Sequence, residues 1–390
     1  MKDKERRNEG KIFRSFVFIG MIAIMLGNLF MITEYPFVYP GIATILKLIR
    51  YLGYMVIVVK ILYDIFYLED IIKTVLFIIF MVLSVCVSKD KELLFIGLMI
   101  VGARGIELEK ILKCLCTLQV IVVVCTLLGC AVHIIPDVVF DLDNRIRHTV
   151  GFYYVSYLPH IYTMFVIEWL YLKRYTIKYY EYIMIIVGNL LIYKISATRV
   201  DFGIIFLIIL LHFMVSKGIV VKQLKSVIKF ILKNSTLLCA GCMLILTVVY
   251  NDALRILDKL LSNRLHLGHH AIKKYGIHIL GQKITWLGYN FENAGKLKGD
   301  YQVVDSSYIH AIINYGLIVF VIFIILLTLV EHKAVIEKNY FLAVSLMVCS
   351  LAWMIDPLWL DLAFNPFIFL TADCFEKNFT GYFRKSICKS

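Results

Sequence analysis

The residues of this chain whose type and placement could do chemistry are arginines, because several stand where an apolar protein has least use for a charge. Arg145 and Arg147 occur in Asp143-Asn144-Arg145-Ile146-Arg147-His148, Arg199 closes Ala197-Thr198-Arg199 between two apolar runs, and Arg264 sits in Leu261-Ser262-Asn263-Arg264-Leu265. Arg50 follows Lys47 inside a third apolar run, and residues three apart share a helix face. In an extended segment Arg145 and Arg147 project to the same side. Arg50 lies nine residues in from Gly41, roughly 13 Å at 1.5 Å per residue. A charge at the centre of a membrane helix costs about 2.5–3.5 kcal/mol on insertion scales, so each of these cations needs a reason. A local reason is an ion pair or a headgroup contact, and Asp201 is close enough in sequence to serve Arg199. A collective reason is an anion: a guanidinium presents paired donors matched to phosphate oxygens, so arginines around one cavity would hold, most simply, a pyrophosphate.

Groups able to move a proton or hold a sugar accompany them. In Val303-Val304-Asp305-Ser306-Ser307-Tyr308-Ile309-His310, Asp305 and Tyr308 fall on one side of a helix that re-enters an apolar run. A carboxylate or imidazole at such a mouth could take a proton from a hydroxyl, with Asp305 the first choice and His310 the second. Tyr308 and His148 are candidates for stacking on or hydrogen bonding to a sugar, interfacial anchoring being the plainer role of Tyr308. His266, His269 and His270 share a helical face, but no carboxylate or cysteine completes a ligand set there and Gly268 weakens the helix, so no metal site is expected. Cys239 and Cys242 are spaced as a Cys-X-X-Cys inside an apolar run without partner ligands, and the ten cysteines read as small packing residues. Gly276, Gly281 and Gly288 follow no strand, which makes them helix breakers in a turn-rich piece rather than a phosphate-binding loop. No cofactor is expected.

The elements that must position these groups are membrane helices. Hydrophobic residues make up 61% of the 390, mean hydropathy is +0.81, and a soluble domain carries only about 45–50% apolar residues. Runs such as Phe16 to Ile32, Val75 to Val87, Val120 to Val132, Phe202 to Val215, Leu237 to Val249 and Ile318 to Val330 approach the roughly 20 residues that cross a bilayer. With the shorter runs they predict an all-α integral membrane protein of about twelve spans. Lys2, Lys4, Arg6, Arg7, Lys11 and Arg14 precede the first run with no small-residue cleavage site after it, which predicts a retained span and an amino terminus inside. Both termini are then cytoplasmic, most of the 41 Lys and Arg fall on the cytoplasmic side, and the net charge of +13 requires no nucleic acid. Lys217, Lys222, Lys225, Lys229 and Lys233 form a basic face that meets solvent and anionic headgroups. Residues 1–390 read as one polytopic domain, with a single long extracytoplasmic loop, residues 252–305, between the ninth and tenth spans. Within that loop Leu254, Leu257, Leu260, Leu261 and Leu265 predict one amphipathic helix on the outer surface.

The order of these short motifs resembles a known family. An outer-loop arginine before Gly151-Phe152, Ala197-Thr198-Arg199 at the end of a span, Asn263-Arg264 in the long loop, Trp286-Leu287-Gly288, Val304-Asp305-Ser306-Ser307-Tyr308 and Asn314-Tyr315-Gly316-Leu317-Ile318 are similar to the Wzy-type polysaccharide polymerases of the O-antigen polymerase and ligase superfamily. Hydropathy and loop placement extend the likeness over most of the chain. The resemblance implies an enzyme of the bacterial cytoplasmic membrane that joins lipid-linked oligosaccharide repeat units on its outer side. Undecaprenyl pyrophosphate would be the leaving group, no metal would be required, and a chain-length regulator and a flippase would be partners. It places Arg147, Arg199 and Arg264 at family-like arginine positions. Ligase relatives carry a histidine where the long loop meets the next helix, whereas this chain has Asp305 there and His310 further on. Loss of a pyrophosphate from an anomeric carbon builds negative charge that fixed guanidiniums can stabilise, and lipid must reach such a site through a groove open to the bilayer. The alternatives are a ligase of the same superfamily, or a flippase, although a transporter usually shows two similar halves with broken helices. A membrane sensor or assembly protein is a further, non-catalytic alternative.

Overall fold

A computed structural model describes residues 2–67, 71–142, 145–218, 226–261, 263–288, 303–361 and 364–375. Asp143, Asn144, Lys222, Lys225, Ser262 and residues 289–302 of the long loop lie outside the described residues. The α-helices, in chain order, are α1 (Lys2–Met31), α2 (Tyr35–Val38), α3 (Pro40–Tyr67), α4 (Ile71–Ser88), α5 (Glu92–Gly102) and α6 (Leu108–Ala131). A hairpin of β1 (Val139–Leu142) and β2 (Arg145–His148) then precedes α7 (Tyr157–Lys173), α8 (Tyr179–Ser196) and α9 (Arg199–Ser216). The remainder is α10 (Ser226–Lys233), α11 (Ser235–Val248), α12 (Arg255–Leu260), α13 (Arg264–Tyr275), α14 (Ser307–Asn314), α15 (Gly316–Ile336), α16 (Tyr340–Ala352) and a 3-10 stretch, Pro366–Phe375.

Four described helices are long and apolar enough to cross a membrane: Pro40–Ile65, Leu108–Ala131, Arg199–Ser216 and Gly316–Ile336. The pair Ser226–Lys233 and Ser235–Val248, bent by 76°, would make a fifth. By length and composition the chain is a polytopic helical membrane protein, because helices satisfy their own backbone groups where lipid offers none. Shorter apolar helices of 10–17 residues, Glu92–Gly102 and Tyr340–Ala352 among them, accompany these.

Close approach of backbones joins α1 to α3. A Cβ placed on Gly53 would stand 2.7 Å from the Gly20 carbonyl oxygen, so α3 needs glycine at this crossing, while one on Gly20 would stand 3.2 Å from the Gly53 carbonyl oxygen. The deepest packing surrounds α15 and α16, with Trp353, Trp359, Phe323, Phe364 and Phe367 fully buried. A buried carboxylate holds the bend between α10 and α11. Glu331 of α15 accepts hydrogen bonds from the Ser235 hydroxyl at 2.5 Å, the Thr236 hydroxyl at 2.6 Å and the Thr236 amide at 3.0 Å. These are donors that a helix start leaves without internal partners, and a negative group suits that end.

Two breaks shape the region around the long loop. The amphipathic helix expected from Leu254 to Leu265 is instead divided between α12 and α13, because Asn263 takes a left-handed conformation with φ 65°. Asp258 spans the break and caps α13, its Oδ1 accepting from the Leu265 amide at 2.9 Å and the His266 amide at 3.2 Å. The second break separates α14 from α15 at Gly316, φ +89°. The turn-rich piece of the long loop is threaded through it. The Gln282 amide donates to the Asn314 carbonyl at 3.0 Å, and the Leu317 amide to the His278 carbonyl at 2.9 Å.

Candidate functional site

Three residues from three segments meet at one place among the described residues. His160 lies in the first turns of α7, Asp201 in the first turn of α9, and Asp356 in the segment after α16. The His160 Nδ1 is 2.9 Å from Asp201 Oδ1 and 2.9 Å from Asp356 Oδ2. All three side chains are largely screened from solvent, at 13%, 8% and 14% exposure, which strengthens their mutual electrostatics. Each carboxylate also accepts a further hydrogen bond. Asp201 Oδ1 accepts from the Thr163 hydroxyl at 3.2 Å, and Asp356 Oδ1 accepts from the Leu358 amide at 3.0 Å. The backbone around Asp356 is sewn to the start of α14, where the Ser307 amide donates to the Trp353 carbonyl at 3.0 Å and the Ser307 hydroxyl to the Asp356 carbonyl.

Of the arginines, Arg264 is bonded to backbone beside this cluster and Arg147 to the end of α8. Arg264, the first residue of α13, donates from Nε to the Ile355 carbonyl at 2.5 Å, one residue before Asp356. Its Nη1 donates to the Leu261 carbonyl at 3.2 Å, and its Nη2 stands 3.7 Å from Asp305 Oδ2. Arg147, on β2, donates from Nε to the Ser196 carbonyl at 2.8 Å at the end of α8. Ser196 leads through Ala197 and Thr198 into Arg199 and α9, and so to Asp201. Arg199 is exposed, and among the described residues it forms no ion pair. Asp201 does not serve it, because residues two apart on a helix point to different sides and the Asp201 carboxylate is turned to His160. Arg145 shares a face of β2 with Arg147 and pairs across the hairpin with Leu142.

No family model, no curated protein and no solved structure matches this chain.

Other candidates stand apart from this cluster. The Arg50 guanidinium meets both carboxylate oxygens of Glu92 at 3.1 Å, which is the local, ion-pair explanation of that charge rather than a place in an anion clamp. Tyr308 is fully buried, donates its hydroxyl to the Ser350 carbonyl at 3.0 Å and packs on Trp359, so it is a core residue rather than a sugar contact. The spacing argument for Asp305 and Tyr308 misses because α14 begins at Ser307, leaving Asp305 before the helix. His310 stacks on Trp286 from the long loop, with ring centroids 5.4 Å apart, and lies 3.5 Å from the Asn314 amide nitrogen. The His148 Nδ1 is 2.6 Å from Asp137 Oδ2, and Asp137 Oδ1 accepts from the Val150 amide at 2.8 Å, so this histidine closes the hairpin base. His266 and His269 pack around Tyr250, and His269 Nδ1 lies 2.9 Å from the Thr247 carbonyl. An apolar groove of about 400 Å³ between α8 and α9 is lined by Tyr179, Tyr182, Phe206 and Phe213 among others. Its rim is built from the start of α8 and the end of α9, opposite the ends that carry Ser196 and Arg199.

Sequence reasoning missed His160, Asp201 as its partner, and Asp356. A usable signal exists: an ionisable side chain inside an apolar run marks a paired or functional position by default. His160 is such a residue, and the twelve-span path puts it on the same side as both aspartates.

Proposed function

We propose that this chain is a membrane polymerase that joins undecaprenyl-pyrophosphate-linked oligosaccharide repeat units into a surface polysaccharide outside the bacterial cytoplasmic membrane. One observation carries the reading. Arg264 is bonded to the backbone beside Asp356 with Asp305 3.7 Å away, and Arg147 is bonded to the Ser196 carbonyl, at the turn that leads through Arg199 to Asp201. Such an arrangement is costly at the rim of an apolar bundle and is suited to an anionic group held at the membrane surface. On this reading about twelve spans place both termini in the cytoplasm, with residues 252–305 outside.

The chemistry follows from the charges. As the bond between the anomeric carbon and the pyrophosphate oxygen breaks, negative charge grows on the leaving oxygens, and fixed guanidiniums stabilise it without supplying a proton. Arg199 has its charge available for this, and Arg264 is held in place by two carbonyls. The acceptor hydroxyl must lose a proton during attack, and Asp305 is the carboxylate placed beside Arg264 to take it. On this reading chain length and substrate supply would be set by a regulator and a flippase.

The purified protein, incubated with lipid-linked repeat units, should give a ladder of longer products on a gel. Arg199→Ala and Arg264→Ala should each slow ladder growth by about 10²-fold, the usual loss on removing one stabilising donor. Undiminished growth in both variants refutes the clamp. Transfer of glycan to a second acceptor without a ladder would identify a ligase, and movement of labelled lipid-linked sugar across vesicles would identify a flippase.

A further inference from the structure

We propose that His160, Asp201 and Asp356 form a binding site for a divalent cation of the magnesium or manganese kind. This site is a different set of residues from the histidines and cysteines of the sequence that offered no ligand set, and it does not depend on the reaction the chain performs. Each residue presents one ligand atom, and the three atoms lie within 4.8 Å of one another.

Three features carry the assignment. The first is charge. Two carboxylates converge on one ring nitrogen, Nδ1, which can hold a single proton, so one N–H would be shared by two acceptors while the carboxylates repel each other. The Arg264 guanidinium does not relieve them, because it is directed to the Ile355 and Leu261 carbonyls and to Asp305. A dication on the shared side of the three groups gives both carboxylates a counter-charge. The second is distance. Ligands about 2.1 Å from an ion and at right angles are about 3.0 Å apart, and both nitrogen-to-oxygen separations here are 2.9 Å. The third is support. The Thr163 hydroxyl bonds Asp201 Oδ1 itself and the Leu358 amide the other oxygen of Asp356, as hydrogen bonds to ligating carboxylates orient them in metal sites. Two hard oxygens with one imidazole select manganese or magnesium, with the remaining positions left to water or to an oxygen ligand.

The experiment uses the full-length protein in nanodiscs, stripped with chelator and titrated with Mn²⁺ by calorimetry and by electron paramagnetic resonance. One ion should bind per chain, with nitrogen coupling that disappears in His160→Gln. Asp201→Asn and Asp356→Asn should weaken binding by more than about tenfold, and Thr163→Val, which keeps all three ligands, by about tenfold. His266→Ala should bind Mn²⁺ as the unaltered protein does. The proposal is overturned if Mn²⁺ does not bind saturably below about 1 mM, the weak end of protein sites for such ions. It is equally overturned if folded Thr163→Val, Asp201→Asn and Asp356→Asn proteins bind Mn²⁺ unchanged, or if binding is lost with His266→Ala.

Discussion

Replacing Glu331 should unfasten the bend between α10 and α11, and the hydrogen-bond geometry sets the size of the effect. Glu331→Ala leaves the Ser235 hydroxyl and the Thr236 amide without acceptors in a fully screened place, Ser235 being 2% and Thr236 1% exposed. The Thr236 hydroxyl has an alternative, since the Ser350 hydroxyl lies 2.8 Å away. Two stranded donors at about 1–3 kcal/mol each, with loss of the negative charge at a helix start, give a destabilisation of roughly 3–5 kcal/mol. Glu331→Gln retains an oxygen where Oε1 accepts three of these bonds, and its amide nitrogen would replace only Oε2, which meets the Thr236 amide at 3.2 Å. It should therefore cost about 1–2 kcal/mol. The combination Glu331→Leu, Ser235→Ala, Thr236→Val removes donors along with acceptor and should recover most of the loss, to within about 2 kcal/mol of the unaltered protein. Unfolding of the purified proteins by detergent titration, followed by circular dichroism, measures all three. If Glu331→Ala is within about 1 kcal/mol of the unaltered protein, or if the triple variant is worse than Glu331→Ala, the carboxylate does not hold this bend.

Further tests separate local roles. Tyr308→Phe should cost about 1 kcal/mol through the lost bond to Ser350 and leave ladder growth unchanged, as expected of a core residue. Glu92→Gln should change stability by less than about 1 kcal/mol, because the Glu92 side chain is 57% exposed, and exchanging the charges as Arg50→Glu with Glu92→Arg should restore any loss. Glu34, in the turn between α1 and α2, is fully buried and among the described residues neither carboxylate oxygen has a hydrogen-bond partner; burial pushes its pKa up to about 7 from the ordinary 4.5. Between those values the unfolded chain releases the proton and the folded one keeps it, so stability should fall as pH rises through that window and level off above it. Glu34→Gln should flatten melting temperature against pH over the same window.

Helical class and membrane residence were readable from the apolar runs, because burial in lipid leaves a compositional mark that needs no tertiary information. The starts and ends of elements were less so. Asn263 turns one predicted amphipathic helix into two, and only the Asp258 carboxylate, reaching across that break, shows why the second begins where it does. An apolar run records burial, and burial against other helices looks like burial in lipid, so hydropathy alone does not fix the number of crossings. For the site, sequence drew attention to the positions of Arg147, Arg199 and Arg264 but had no means of pairing charges. Asp201, the obvious neighbour of Arg199, belongs to His160, and Arg50 belongs to Glu92, a partner in another helix. The His160 cluster joins residues from separate segments, one of them, Asp356, nearly two hundred positions from His160. Spacing patterns carry information about one helix or strand at a time, and contacts of that range are invisible to them.

The shortness of α11 bears on how a lipid-borne molecule would be handled. Its 14 residues cover about 21 Å at 1.5 Å per residue, against roughly 30 Å of hydrocarbon. On the proposed topology, with the bend to α10 at the inner surface beside Lys229 and Lys233, the far end of α11 stops about 9 Å below the opposite headgroup plane. The loop that follows would start from the floor of a dimple, with bilayer drawn inward around it. A prenyl-anchored sugar could then present its phosphates to Arg264 while its tail stays at ordinary depth among its neighbours.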